Sequence, residues 1–157
     1  MLCSAEMIGG HLLEVPCSRQ SVVAVSSAEA EYYSMTRGAA SGLQTLQIYQ
    51  SCDLEVVLTL KMDSAAARGI AARNGSGKVK HLHIKELWLQ SHVRAGTIRL
   101  EKVDTLFNLA DIATKCLPAE RLNSLIAQMP LTRAVAALFL MNVHVQQAKE
   151  SSMMNSK

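Results

Sequence analysis

Residues 28–46 constrain the fold more than any other stretch, because Ala28, Tyr32, Met35, Ala39, Leu43 and Leu46 recur at intervals of three or four. That spacing draws one apolar stripe along a helix of about six turns, and a stripe that long needs a core to lie on. The preceding Ser26-Ser27-Ala28-Glu29 marks the start. Ser26 can accept from the backbone three residues on and Glu29 can reach back, the reciprocal arrangement of a capping box. Gly38 and Gly42 either weaken the helix or let it approach a neighbour closely. Upstream, the period is two. Residues 5–14, which contain Gly9-Gly10, and residues 21–26, alternating around Val22, Val23 and Val25, read as two strands of a hairpin connected by residues 15–19.

Downstream, the nearly unbroken apolar run Val56-Val57-Leu58-Thr59-Leu60 predicts a strand covered on both faces of an open α/β sheet. It ends at Lys61-Met62-Asp63-Ser64, and residues 65–73 then read as a helix. Asp63 therefore stands at the carboxyl end of a strand, where such sheets bind ligands. It could equally cap the following helix, a task open to Ser64 as well. Asn74-Gly75-Ser76-Gly77 is a loop by composition, and residues 82–95 have helical spacing in Leu82, Leu87, Leu89 and Val93. Gly96 closes that helix, and residues 97–103 alternate as a half-exposed strand. Residues 108–115 form a short helix with Asp111 in its first turn, where the helix dipole favours an acid. Pro118 opens another helix carrying Leu122, Leu125 and Ile126. A further apolar helix is expected after Pro130, to about Gln146, and a disordered polar end over residues 149–157.

With 157 residues, 49% of them hydrophobic and 18% charged, the chain reads as one globular domain of the α/β class. Its longest apolar run, residues 134–143, is broken by Asn142 and is shorter than the roughly 20 residues a membrane span requires. Residues 1–10 hold no basic region followed by a long apolar segment, so an intracellular protein is expected, with no membrane partner. Cys3, Cys17, Cys52 and Cys116 contain no C-x-x-C pair and read as reduced thiols. The net charge of +3 is modest, but it is unevenly spread. Arg73, Lys78, Lys80, Lys85 and Arg94, with His81, His83 and His92, face the single acid Glu86 in sequence. That segment is either a solvated helix face or a surface for phosphates.

Three acids, Glu31, Asp63 and Asp111, stand in apolar stretches. A buried carboxylate without a partner takes up a proton, so three that converge imply a cation between them. Each has a local alternative: Glu31 lies at the edge of the stripe and can reach water, Asp63 can cap a helix, and Asp111 is served by the helix dipole.

Taken in order, the phrases match a pattern. Ser26-Ser27-Ala28-Glu29-Ala30-Glu31-Tyr32, Met62-Asp63-Ser64-Ala65-Ala66, Lys80-His81-Leu82-His83-Ile84 and Asn108-Leu109-Ala110-Asp111-Ile112-Ala113-Thr114-Lys115-Cys116-Leu117-Pro118 together resemble the ribonuclease H domain of copia-type LTR retrotransposon Pol polyproteins. The resemblance covers residues 5–129. It implies a ribonuclease H-like mixed sheet flanked by helices, and four acids that hold two Mg2+ ions and hydrolyse the RNA strand of an RNA/DNA hybrid. Glu31, Asp63 and Asp111 match three of those acids, as catalytic residues and metal ligands. Arg73, Lys78, Lys80, His81 and Lys85 would contact the nucleic acid, and the reverse-transcriptase domain of the same polyprotein would be the partner in the parent element. Two hard cations about 4 Å apart take oxygen ligands, which fits carboxylates. Such an enzyme reads backbone shape and 2′-hydroxyls, so low sequence specificity is expected.

The chain departs from the pattern in two places. The family's first aspartate lies on a strand that precedes the hairpin, and the sequence begins at what reads as the second strand. The expectation is a domain over residues 1–129 truncated at its N-terminus, lacking the central strand and with unpaired strand edges. Residues 130–157 would then be a C-terminal helical extension and tail. The second departure is His83, where the family has an acid in its K-H-I-D phrase. Weak or absent endonuclease activity is expected. The alternatives are a non-catalytic nucleic-acid-binding module and a transposon remnant without function.

Overall fold

In the computed structural model, residues 1–75, 77 and 87–129 are described. Ser26 caps α1 (Ser27–Ser51), its hydroxyl accepting from the Glu29 amide at 3.2 Å. Glu29 reaches back one residue beyond the cap. Its Oε2 accepts from the Val25 amide at 2.9 Å, and its Oε1 accepts from the Tyr33 hydroxyl at 2.8 Å. These partners let a carboxylate sit buried at the helix N-terminus, where the dipole also favours it. The predicted stripe faces the core: Tyr32, Met35, Ala39 and Leu46 are buried, and Ala28 and Leu43 pack partly buried against the same cluster. Gly42 permits a close approach, since a Cβ there would lie 2.6 Å from Leu58 Cδ1.

The hairpin differs from the prediction. Strands β1 (Leu2–Cys3), β2 (Glu6–Ile8), β3 (His11–Glu14) and β4 (Cys17–Ser18) pair antiparallel as β1·β4 and β2·β3. The turn falls at Gly9-Gly10, not over residues 15–19, because both glycines take positive φ (53° and 86°), as a two-residue hairpin loop requires. Glu6 opposes Glu14 while Met7 opposes Leu12, so Leu13 is an extra residue that bends the pair. Residues 21–26 form no strand. Their alternation reflects burial alone: Val22 and Ala24 pack on the core, whereas Val23 and Val25 are 89% and 73% exposed. Cys3 and Cys17, expected as free thiols, are disulfide-bonded across β1·β4, where the register puts them directly opposite each other. Cys52 and Cys116 are free and exposed.

After α1 come β5 (Leu58–Met62), α2 (Ala65–Ala72), α3 (Trp88–Arg94) and β6 (Ile98–Lys102). Strands β5 and β6 are parallel, with Leu58 opposite Ile98 and Met62 opposite Lys102, and the helices between them supply the crossover a parallel pair needs. The strand begins two residues later than predicted and is half-buried rather than covered on both faces; Val57 is 61% exposed. A strand with one neighbour leaves a flank open, and β5 pairs with β6 alone among the described residues. The fold is α/β, with its described strands in three separate pairs.

A buried amide joins α2 to α3. Gln90 Nε2 donates to the carbonyls of Ile70 (2.8 Å) and Gly75 (3.0 Å), and its Oε1 accepts from the Gly75 amide at 2.8 Å. The end of α2 is thus satisfied by a side chain fifteen to twenty residues later. A 3-10 turn (Thr105–Phe107), α4 (Asp111–Thr114) and α5 (Ala119–Ala127) follow β6. Ile112, Leu125 and Met129 form a second apolar cluster, with Leu12 of β3 against it. Pro118 precedes α5 as predicted. Residues 78–86 and the stretch after Met129 lie outside the described residues, as do the predicted start of the 82–95 helix and the 130–157 extension. Among the described residues no helix is long and apolar enough to cross a membrane.

Candidate functional site

The three acids come from three elements. Glu31 lies in the second turn of α1, Asp63 directly after β5 and Asp111 at the first position of α4. Their environments differ more than the sequence suggested. Glu31 is exposed, because it lies one residue, about 100° of helix rotation, from fully buried Tyr32. Asp63 is half-buried, and Asp111 is buried. The capping alternative for Asp63 fails, since Ser64 takes that position and its Oγ accepts from the Ala67 amide at 3.2 Å. Among the described residues the Asp63 carboxylate makes no hydrogen bond or ion pair.

Although exposed as a residue, Glu31 holds its proton above the ordinary value of 4.5. Partial desolvation of the carboxyl is the largest cause, followed by the charge of Asp63; Lys115 pulls the other way and Asp111 adds a smaller push. The three acids and Lys115 therefore share one electrostatic neighbourhood. They do not form a chelate: among the described residues, no three His, Cys, Asp or Glu side chains are grouped to hold a metal.

Asp111 explains part of that. Lys115 Nζ lies 2.8 Å from its Oδ1 and Arg121 Nη2 lies 2.8 Å from its Oδ2, so both oxygens face a cation. Arg121 Nη2 also donates to the Thr105 carbonyl at 2.7 Å, tying α5, α4 and the 3-10 turn together. Sequence reasoning missed these partners, although Asp111 and Lys115 have the i,i+4 spacing of a helical ion pair. The oxygen chemistry of Glu31 and Asp63 fits a hard divalent cation, and a cation would relieve their mutual repulsion. Asp111 would join them only by loosening Lys115 or Arg121.

Of the predicted phosphate contacts, only Arg73 falls within the described residues; Lys78, Lys80, His81 and Lys85 lie outside them. Arg73 follows α2, and its guanidinium folds under Gly77, where a Cβ would meet it at 2.7 Å. Nearby, Arg94 donates to Asn74 Oδ1 at 2.9 Å, and the His92 ring meets Trp88 edge-on at 5.4 Å. These two side chains brace α3 and the loop after α2. No protein-family model matches the chain, and no solved structure matches it.

Proposed function

We propose that the chain is a ribonuclease H-like domain of the copia retrotransposon type, acting on RNA/DNA hybrids with weak or no cleavage. The observation that carries this reading is the placement of Glu31, Asp63 and Asp111 on three elements in one electrostatic neighbourhood, where burial first and the charges of Asp63 and Asp111 after it raise the proton affinity of Glu31. Glu31 and Asp63, which has no ion-pair partner among the described residues, would hold a divalent cation such as Mg2+. When bound, it supplies Lewis-acid activation of water and neutralises charge at the phosphate. The protein's own part is to spare Asp63 the capping role, which Ser64 takes, and to hold Asp111 beside Lys115 and Arg121.

That pairing supports the low-activity side of the proposal. A carboxylate already compensated by two cations gains less from a metal than a bare one does. Hybrid binding without cleavage is the second reading, favoured by the same compensation of Asp111. A labelled RNA/DNA hybrid incubated with the chain and magnesium distinguishes the two. The expected result is binding with slow cleavage at most, any cleavage being lost in Asp63→Asn. Cleavage that survives Asp63→Asn, or a chain that neither binds nor cuts the hybrid, would sink the proposal.

The electrostatics of Glu31 also predict an effect on stability. Below pH 4.5 both folded and unfolded states carry a protonated Glu31; above it the unfolded state ionises first, and the fold loses stability as pH rises through the raised native value. Glu31→Gln is therefore expected to raise the melting temperature at neutral pH. The gain should be small, under about 1 kcal/mol, because solvent screens an exposed side chain. It should disappear at about pH 4. Thermal melts of both proteins at the two pH values provide the check, and a Gln variant less stable than the parent at neutral pH would contradict it.

A further inference from the structure

The register of β1·β4 sets Cys3 directly opposite Cys17 with Cα atoms 4.3 Å apart, and two environments meet at their bond. Cys17 is half-buried, and both cysteines line a groove of about 260 Å³ between the hairpin and α1, with Ser34, Arg37 and Ser41 among its walls. Arg37 brings a cation to that groove, where it would attract the thiolate of an incoming reductant. Cys3 is buried, and its Sγ lies 3.9 Å from the Ala113 carbonyl oxygen. A thiol can donate across that distance, whereas a disulfide has no proton to give. The reduced state therefore has a hydrogen bond waiting that the oxidised state lacks.

We propose that Cys3–Cys17 is a redox-responsive pair, opened in the native protein by thiol–disulfide exchange with a dithiol reductant entering this groove. A reductant thiolate attacks Cys17 Sγ, a new S–S bond forms there, and the Cys3–Cys17 bond breaks. Cys3 leaves with the electron pair, takes up a proton from water, and its S–H then hydrogen-bonds to the Ala113 oxygen. The reductant's second thiolate then attacks its own sulfur in the mixed disulfide. Cys17 is released as a thiolate that is protonated by water, and the reductant departs as a disulfide, having given up two electrons. Ala113 belongs to α4, the helix that begins at Asp111. Reduction thus exchanges a covalent clamp within the hairpin for a hydrogen bond between β1 and the helix bearing one of the three acids.

Alkylation of the native full chain by iodoacetamide, read by intact mass, tests this. Without reductant two groups should add, at Cys52 and Cys116; after dithiothreitol without denaturant, four. The cross-link restricts the unfolded chain across a sequence separation of 14. Its reduction should therefore lower the melting temperature by on the order of 10 °C, reversibly on reoxidation. Cys17→Ser should remove the dependence on reductant, and the wild-type redox cycle decides alone if that variant does not fold. Four additions without reductant, a bond that opens only in denaturant, or equal melting of the two redox forms would each overturn the proposal.

Discussion

Replacing Asp111 by alanine is expected to cost about 3 kcal/mol of stability, the low end for a buried pair, because the carboxylate is buried while its cationic partners stay partly exposed. Arg121 suffers most. Its side chain is 28% exposed against 47% for Lys115, so the lysine can turn to water while the guanidinium stays partly enclosed. The contact between Arg121 and the Thr105 carbonyl would also lose the carboxylate that helps hold it in place. Chemical denaturation should show the loss. The double variant Asp111→Ala with Arg121→Ala should be more stable than the sum of the single losses, since it removes the stranded cation. Additive losses would show that the pair is not coupled. The outcome also bears on the proposed cation site: an acid whose removal loosens α4 and α5 cannot be judged by activity alone, whereas Asp63, with no such partners among the described residues, can.

Tyr32→Ala should be comparably severe, about 3–5 kcal/mol, because the side chain is fully buried in the main core and little around it can close the cavity. Its neighbour Glu31 predicts the opposite sign at neutral pH. A substitution at residue 32 that weakens the fold, beside one at residue 31 that strengthens it, would separate packing from chemistry on adjacent faces of one helix. Thermal and urea melts of the two variants side by side make the comparison. A loss under 1 kcal/mol at Tyr32 would mean that the stripe does not carry the core as described.

Local signals survived from sequence to structure where neighbouring residues decide the outcome. The capping box at Ser26 and Glu29, the stripe along α1, the strand ending before Asp63 and the helix-opening Pro118 all depend on contacts within a few residues. Lys115 apart, which lies four residues from Asp111, the misreadings share a cause: the deciding partner is distant in sequence. The hairpin was misplaced because alternation at Val22, Val23 and Val25 looks the same whether or not a second strand pairs with it. The disulfide depends on which residues the Gly9-Gly10 turn sets opposite each other. Gln90 carried no pattern at all, and its role exists only because α2 and α3 pack. Of the site, the identities of the three acids were legible and their charge balance was not: Arg121 lies ten residues beyond Asp111, past the turn between α4 and α5.

The three strand pairs share no ladder hydrogen bonds among the described residues, yet each is tied into the same molecule. What an ordinary sheet does sideways, strand to strand, falls here to the 25-residue helix α1, a rod about 37 Å long. Ser34 donates to the Cys3 carbonyl, the Ser41 hydroxyl lies against Glu6 and Glu14, and Gly42 admits Leu58. The chain is thus built as spokes on an axle. Loosening one spoke leaves the hydrogen bonds of the others intact, and a change in the hairpin can pass to β5 along little more than two turns of helix.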